Sequence, residues 1–302
     1  MSHFDRDRRT FLQSASVGLA SIGIGLGMGV REGLMAAEPK HSLKKAVKYA
    51  MIEVPNASIE DRLNLVKELG FQGVEMDSPS GIDFSEAAKA SEKTGVKIHG
   101  IIDSKHWEIR LSDPDPAVRA KGLENLKQAL KDAKTVGADT VLLVPGKVTN
   151  KDTENYEQCY SRSQEEIRKA IPLAEELNVK IAIEVVWNDF ITTPQQFVQY
   201  IDDFKTPIVG GYFDCSNMIK YGVPPADWIR ALGKRMLKFD FKGYSHEKKW
   251  VPIGEGDEDW PAILKALDDI GYHGWATAEV GGGDRDHLKL VAAKMNRCLQ
   301  LE

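Results

Sequence analysis

Four short apolar runs in this chain each close on an acid: Ile181-Ala182-Ile183-Glu184, Gly211-Tyr212-Phe213-Asp214, Lys238-Phe239-Asp240 and Thr277-Ala278-Glu279. Any one of these acids alone reads as a solvated loop residue or a helix cap. Four in succession, if the run ends meet in space, would repel one another and lose hydration. Such a group is tolerated when a divalent cation neutralises it. An all-oxygen ligand set suits hard ions, Mg²⁺ or Mn²⁺. Lys242 lies two residues past Asp240 and so shares its strand face. Earlier runs carry Glu75 and His99, and the segment after the third run carries His106-Trp107. Glu75 also reads as the partner of a nearby Lys or Arg, and His99 as a hydrogen-bonded core histidine. Trp187-Asn188 follows Glu184 closely, as Asn217 follows Asp214 and His246 follows Lys242. An indole over a polar pocket can hold the apolar face of a sugar; a plain lid contact is the other reading of Trp107 and Trp187.

The elements that would bring these residues together are short β-rich runs alternating with amphipathic helices. The runs are 48–52, 73–76, 97–101, 140–144, 180–184, 209–214, 237–241 and 276–279. Each is short and mostly apolar, as strands buried on both faces of a parallel sheet are. Helices are marked from Ser58 to Gly70, Pro114 to Gly137, Asn155 to Asn178, Thr193 to Phe204, Pro224 to Gly233, Asp259 to Gly271 and Asp284 to Leu301. Capping residues open them and Gly or Asn closes several. This alternation predicts an α/β chain folded as one (β/α)₈ TIM barrel, whose chemistry would sit at the C-terminal strand ends. An open doubly wound sheet is the rival, but it wants a glycine-rich turn after its first strand, and Met51-Ile52-Glu53-Val54-Pro55 is not one. Asp284, at the start of the last helix, reads as a cap rather than part of an anion site.

Composition removes other classes. At 42% hydrophobic and 28% charged, the chain has a globular and not a disordered composition. A net charge of −5 supplies no electrostatic reason to bind nucleic acid or an anionic membrane. Cys159, Cys215 and Cys298 are too few and too scattered for a disulfide framework or a paired-cysteine zinc motif. Neither a glycine-rich phosphate loop nor a Gly-x-Ser-x-Gly elbow occurs.

The order Glu184, Asp214, a seventh-strand residue ahead of Lys242, and Glu279 resembles the xylose isomerase-like TIM barrels. Within them the chain is most similar to the sugar phosphate isomerase/epimerase group that includes D-tagatose (D-psicose) 3-epimerases. Segments 113–146, 184–188, 212–217, 254–257 and 271–275 carry the likeness, and the barrel domain is placed at residues 46–302. The resemblance implies metal ligands at Glu184, Asp214, Asp240 and Glu279. It implies Glu184 and Glu279 as the acid/base pair of a metal-dependent isomerase or epimerase working through an enediolate. It also implies a small-molecule sugar held by residues among Glu75, His99, His106, Trp107, Trp187, Asn188, Asn217, Lys242 and His246. One departure stands out. The family's seventh-strand motif reads His-x-Lys-Asp, and here it is Asp240-Phe241-Lys242-Gly243. An aspartate in place of the histidine favours Mn²⁺ or Mg²⁺ while leaving Co²⁺ and Zn²⁺ open. Alternatives on the same barrel are a hydrolase or lyase for an exported sugar derivative, and a sugar-binding barrel without catalysis. A homo-oligomer is compatible with each of them.

Residues 1–37 read as an address. Asp7-Arg8-Arg9-Thr10-Phe11-Leu12 precedes an uncharged stretch to Val30 that is rich in glycine, and Ala36-Ala37 then stands ahead of Glu38-Pro39. This resembles a twin-arginine export signal, so a periplasmic protein without a stable membrane anchor is expected. An uncleaved start-transfer anchor is the rival reading. Replacing Arg8 and Arg9 together by lysine is expected to leave full-length precursor in the cytoplasm. Fractionation followed by mass measurement of the chain checks it, and mature protein exported as before would overturn the assignment.

Overall fold

The computed structural model describes residues 42–301. Eight parallel strands close into a barrel: β1 (Lys44–Lys48), β2 (Gly73–Ser78), β3 (Lys97–Asp103), β4 (Thr140–Leu143), β5 (Lys180–Glu184), β6 (Val209–Asp214), β7 (Met236–Phe241) and β10 (Trp275–Ala278). The ring shuts where Ala46 of β1 aligns with Thr277 of β10 on one side and Gly73 of β2 on the other. A small antiparallel hairpin, β8 (Tyr244–Ser245) with β9 (Lys249–Trp250), stands above the end of β7. The TIM barrel expected from the alternation is therefore present as one domain. No helix among the described residues is long and apolar enough to cross a membrane.

The outer helices are α1 (Ile59–Glu68), α2 (Phe84–Thr94), α3 (Pro116–Val136), α4 (Tyr156–Leu177), α5 (Pro194–Asp202), α7 (Pro225–Leu232), α8 (Trp260–Asp269) and α9 (Arg285–Leu299), with a single short helical turn, α6 (Cys215–Met218), after β6. Capping chemistry explains their limits. Ser58 and Asp61 form a reciprocal capping box ahead of α1, as Asn155 and Gln158 do at α4. Asp284 caps α9 by accepting from the backbone N–H groups of Asp286 and His287, both at 3.1 Å. Most apolar side chains pack in one cluster between the strands and the helix ring. Inside the barrel the apolar filling is small: Leu142, Ala182 and Tyr212, with Ile102 and Leu237 against them. Polar and charged groups occupy much of the rest of that interior.

Two expectations need correction. The first strand is Lys44–Lys48, not residues 48–52, and Tyr49–Met51 forms a single 3₁₀ turn. Lysines 44 and 45 disguise the strand. Their stems lie along the barrel's N-terminal rim, Lys45 Nζ donating to Asn296 Oδ1 at 2.6 Å and Lys44 resting over the Trp275 ring. The domain accordingly starts earlier than residue 46. Second, α2 was not marked in the sequence. Its buried face is Ala87, Ala90, Ser91 and Thr94, too weakly apolar to show a helical period. The three cysteines are buried and free, as their spacing suggests. The export segment lies outside the described residues.

Glu154 clamps two rim loops. Its carboxylate is fully buried and accepts from Arg110 Nε and Nη2, both at 2.9 Å, from Ser112 Oγ at 2.7 Å, and from Thr149 Oγ1. Burial would raise its pKa, but these donors hold it below the usual carboxylate value. Glu154→Ala leaves Arg110 paired with Asp113 alone and is expected to cost about 2–3 kcal/mol of stability. Urea unfolding measures it, and a loss under about 1 kcal/mol would mean that the clamp is not a stabilising element.

Candidate functional site

At the C-terminal mouth, carboxylate oxygens of Glu184, Asp214 and Glu279 lie within 4.8 Å of one another. Glu184 ends β5, Asp214 ends β6, and Glu279 follows β10, its N–H bonded to the Phe241 carbonyl at 3.1 Å. Asp214 serves two roles. Its Oδ1 caps α6 by accepting from Ser216 and Asn217 N–H at 2.8 and 3.1 Å, while its Oδ2 faces Lys242. The Lys242 ammonium pairs with both Asp214 and Glu279. Glu184 is held more loosely, accepting from Asn217 Nδ2 at 3.4 Å. Burial and the neighbouring Glu279 push Glu184 well above the usual carboxylate pKa. Burial would lower Lys242, but Asp214 and Glu279 outweigh it and hold the ammonium well above its ordinary value. Three acids share one ammonium here. Opposite ligands of a hard divalent ion are separated by about 4–5 Å, so the spacing, charge and donor type fit such an ion.

Asp240 lies in register with Asp214 and Thr277 but outside that three-acid set. Its Oδ1 accepts from the Phe241 N–H at 2.8 Å, and its Oδ2 lies 2.7 Å from Lys48 Nζ. Lys48 also donates to Glu75 Oε2 at 2.6 Å and to the Tyr212 hydroxyl at 3.3 Å. Burial pushes Asp240 up to about 8 despite the opposing ammonium of Lys48. Glu75, buried in the barrel, accepts from the Tyr212 hydroxyl at 2.8 Å. Gly100 makes room for it, since a Cβ there would fall 2.6 Å from Glu75 Oε1. His99 lies deeper still, away from the mouth. It stacks on Trp275 at 4.3 Å and meets Lys238 Nζ at 3.3 Å from Nδ1. Burial, then Lys238 and Lys48, drive its pKa well below 6.5. Lys238 continues to Asp139 at 2.8 Å at the opposite end of the barrel.

The walls are aromatic. Trp187 stacks on Trp250 of β9 at 4.8 Å, meets Tyr244 edge-on, and donates its Nε1 proton to the Asn217 carbonyl at 2.7 Å. Trp250 also lies over the Lys242 ammonium. His106 is buried and its Nδ1 accepts from the Val144 N–H at 3.3 Å, with the exposed Trp107 edge-on at 5.5 Å. The sequence-named residues thus separate. Glu184, Asp214, Glu279, Lys242, Asn217 and Trp187 gather at the mouth, and Glu75 and Asp240 sit with Lys48. Asn188 is a loop staple, donating to the Gly146 carbonyl at 2.6 Å and accepting from the Phe190 N–H. His246 is exposed at the hairpin tip, its N–H bonded to Asp257 Oδ2. Lys48, Tyr212 and Trp250 were missed. A lysine ending the apolar Ala46-Val47 strand was the available signal for the first.

A family model described as xylose isomerase-like TIM barrel matches residues 63–299. An L-ribulose-5-phosphate 3-epimerase, UlaE, of Escherichia coli O1:K1 is 26% identical over 226 residues, 71% of this chain and 79% of that protein. Among solved structures, a D-psicose 3-epimerase with D-tagatose from Clostridium cellulolyticum H10 shares the fold at a TM-score of 0.67 and 22% identity, covering 85% of this chain and 96% of that one. The IOLI protein, solved with a bound zinc atom, shares it at a TM-score of 0.72 and 17% identity, covering 85% and 98%.

Burial pushes His106 down to about 3, against the upward pull of Glu279. The ring is therefore neutral, and because Nδ1 accepts from Val144 its proton sits on Nε2. An unfolded histidine takes up its proton near 6.5, so the folded state loses stability as pH falls from about 6.5 toward 3. His106→Gln should flatten that loss, measured by urea unfolding across the window. A His106 ring resonance titrating near pH 6.5 in the folded protein would contradict it.

Proposed function

The chain belongs to the xylose isomerase-like TIM barrel family, and we propose that it is a divalent-metal-dependent sugar epimerase or isomerase that moves a proton at a carbon beside a sugar carbonyl. The observation that carries this reading is the convergence of Glu184, Asp214 and Glu279 within 4.8 Å at the barrel mouth. These three would hold the metal. When bound, it would polarise vicinal sugar oxygens and stabilise the charge that develops as the C–H bond breaks.

Glu184 and Glu279 are the proton-transfer residues in this reading. With the ion bound, the C–H beside the sugar carbonyl would become more acidic, so a positioned carboxylate suffices as its base. One glutamate removing a proton and the other returning it to the opposite face inverts the carbon. A single glutamate shuttling between adjacent carbons isomerises the sugar. Neutral His106 presents an Nε2 proton to a sugar oxygen, and Asn217 keeps Glu184 oriented. Trp187 and Trp250, stacked face to face beside Lys242, form an aromatic wall that excludes water on that side. Both lysines at and below the three acids, Lys242 and Lys48, are committed to carboxylates, which favours an unphosphorylated sugar. Export through residues 1–37 points the same way and belongs to the proposal.

The test is a panel of ketoses and their phosphate esters in deuterium oxide with Mn²⁺. The parent protein is expected to incorporate solvent deuterium at one or two carbons of an unphosphorylated sugar. Glu184→Gln and Glu279→Gln should each slow exchange by about 10³-fold or more. Near-parent exchange in either variant would overturn its catalytic role. Sugar binding with no exchange under any metal would overturn the enzymatic reading in favour of a binding barrel.

A further inference from the structure

Lys48 is an unusual occupant of a barrel strand: 5% exposed, at the end of an apolar run, with its ammonium among the interior groups. Its ammonium has three polar neighbours. Nζ meets Glu75 Oε2 at 2.6 Å, Asp240 Oδ2 at 2.7 Å and the Tyr212 hydroxyl at 3.3 Å. Asp240 forms an ion pair with Lys48 through Oδ2, and its Oδ1 accepts from the Phe241 N–H. Its ladder neighbour Asp214 contributes an oxygen to the three-acid set, whereas Asp240 does not. Neighbouring strands thus present two aspartates side by side, one turned to the mouth and one bound to an internal lysine.

We propose that Lys48 is a positioning residue that holds Asp240 out of the cation's coordination sphere, so that three carboxylates and not four bind the ion. This rests on the reading of Glu184, Asp214 and Glu279 as a divalent-cation site. Three carboxylates with the Lys242 ammonium carry a formal charge of −2, which one divalent ion neutralises. A fourth carboxylate would over-neutralise the ion and occupy a position that a sugar oxygen needs. Lys48 avoids both, and Glu75 and the Tyr212 hydroxyl fix the lysine so that it does not turn toward the three acids itself.

Mn²⁺ binding to the full chain, without sugar, tests this by the paramagnetic resonance signal of the free ion, with thermal melting to verify folding. Asp214→Asn removes a ligand and should weaken Mn²⁺ by about 100-fold, whereas Asp240→Asn should weaken it by less than about tenfold. Lys48→Met removes the holding charge and should tighten Mn²⁺ by about tenfold. The double variant Lys48→Met/Asp240→Asn should stay within about threefold of the parent, because the lysine and the carboxyl group it holds are removed together. This pair of readings keeps the test decisive if Lys48→Met alone does not fold. An Asp240→Asn loss equal to that of Asp214→Asn, or a comparable loss in the double variant, would overturn this inference while leaving the cation site intact. A parent protein that takes up no Mn²⁺ would overturn the site and this inference with it.

Discussion

Five carboxylates share the interior and mouth of this barrel with two ammonium groups that pair with them. Glu75 and Asp240 surround Lys48, and Asp214 and Glu279 surround Lys242, with Glu184 beside them. The rest of the site depends on how that excess negative charge is arranged. Burial raises the cost of every unbalanced charge, which is why Glu184 and Asp240 are shifted upward while both lysines remain protonated. The barrel supplies the arrangement. Parallel strands deliver the acids of β5 and β6 to one rim at their last residues, and β10 delivers Glu279 one residue past its end. The Lys48 layer lies beneath as a rigid floor. Its ion pairs take the place of part of the apolar filling, which is reduced to Leu142, Ala182 and Tyr212.

Much of this was legible from residue order. The runs at 180–184 and 209–214 coincide with β5 and β6, since apolar residues bounded by Asn178, Pro207 and a terminal acid leave little freedom. Caps at Ser58, Asn155, Thr193 and Asp284 fixed helix starts because their side chains meet backbone donors two or three residues on. What escaped was set by tertiary context. Lys48 looks like any strand-end lysine until three other strands surround it. His99 is only the third residue of β3, which runs on to Asp103, so it meets Trp275 and Lys238 and does not reach the mouth. Trp250 reaches Lys242 only through the β8–β9 hairpin, whose two-residue strands are too short to show a period. α2 hid behind alanines and serines.

The comparisons and the chemistry meet at the level of the family. Relatives that share the barrel at 17–26% identity include epimerases of sugars and sugar phosphates and a protein solved with zinc. The three acids of the mouth answer to a requirement of charge and distance. On the proposed reading, Asp240 with Lys48 is this chain's own solution to balancing that mouth. It withdraws one carboxylate into the floor and leaves an oxygen-only shell in which hard ions are favoured. Glu154 and Arg110 brace the two rim loops beside it, so the site stands on clamped structure and not on free loops.

Anomalous diffraction from crystals of the protein soaked in Mn²⁺ tests the central claim most directly. One anomalous peak is expected at the mouth, about 2.0–2.6 Å from an oxygen of each of Glu184, Asp214 and Glu279, with the Lys48–Asp240 pair still closed beneath it. A peak coordinated by Asp240, or none among the three acids at saturating Mn²⁺, would contradict it.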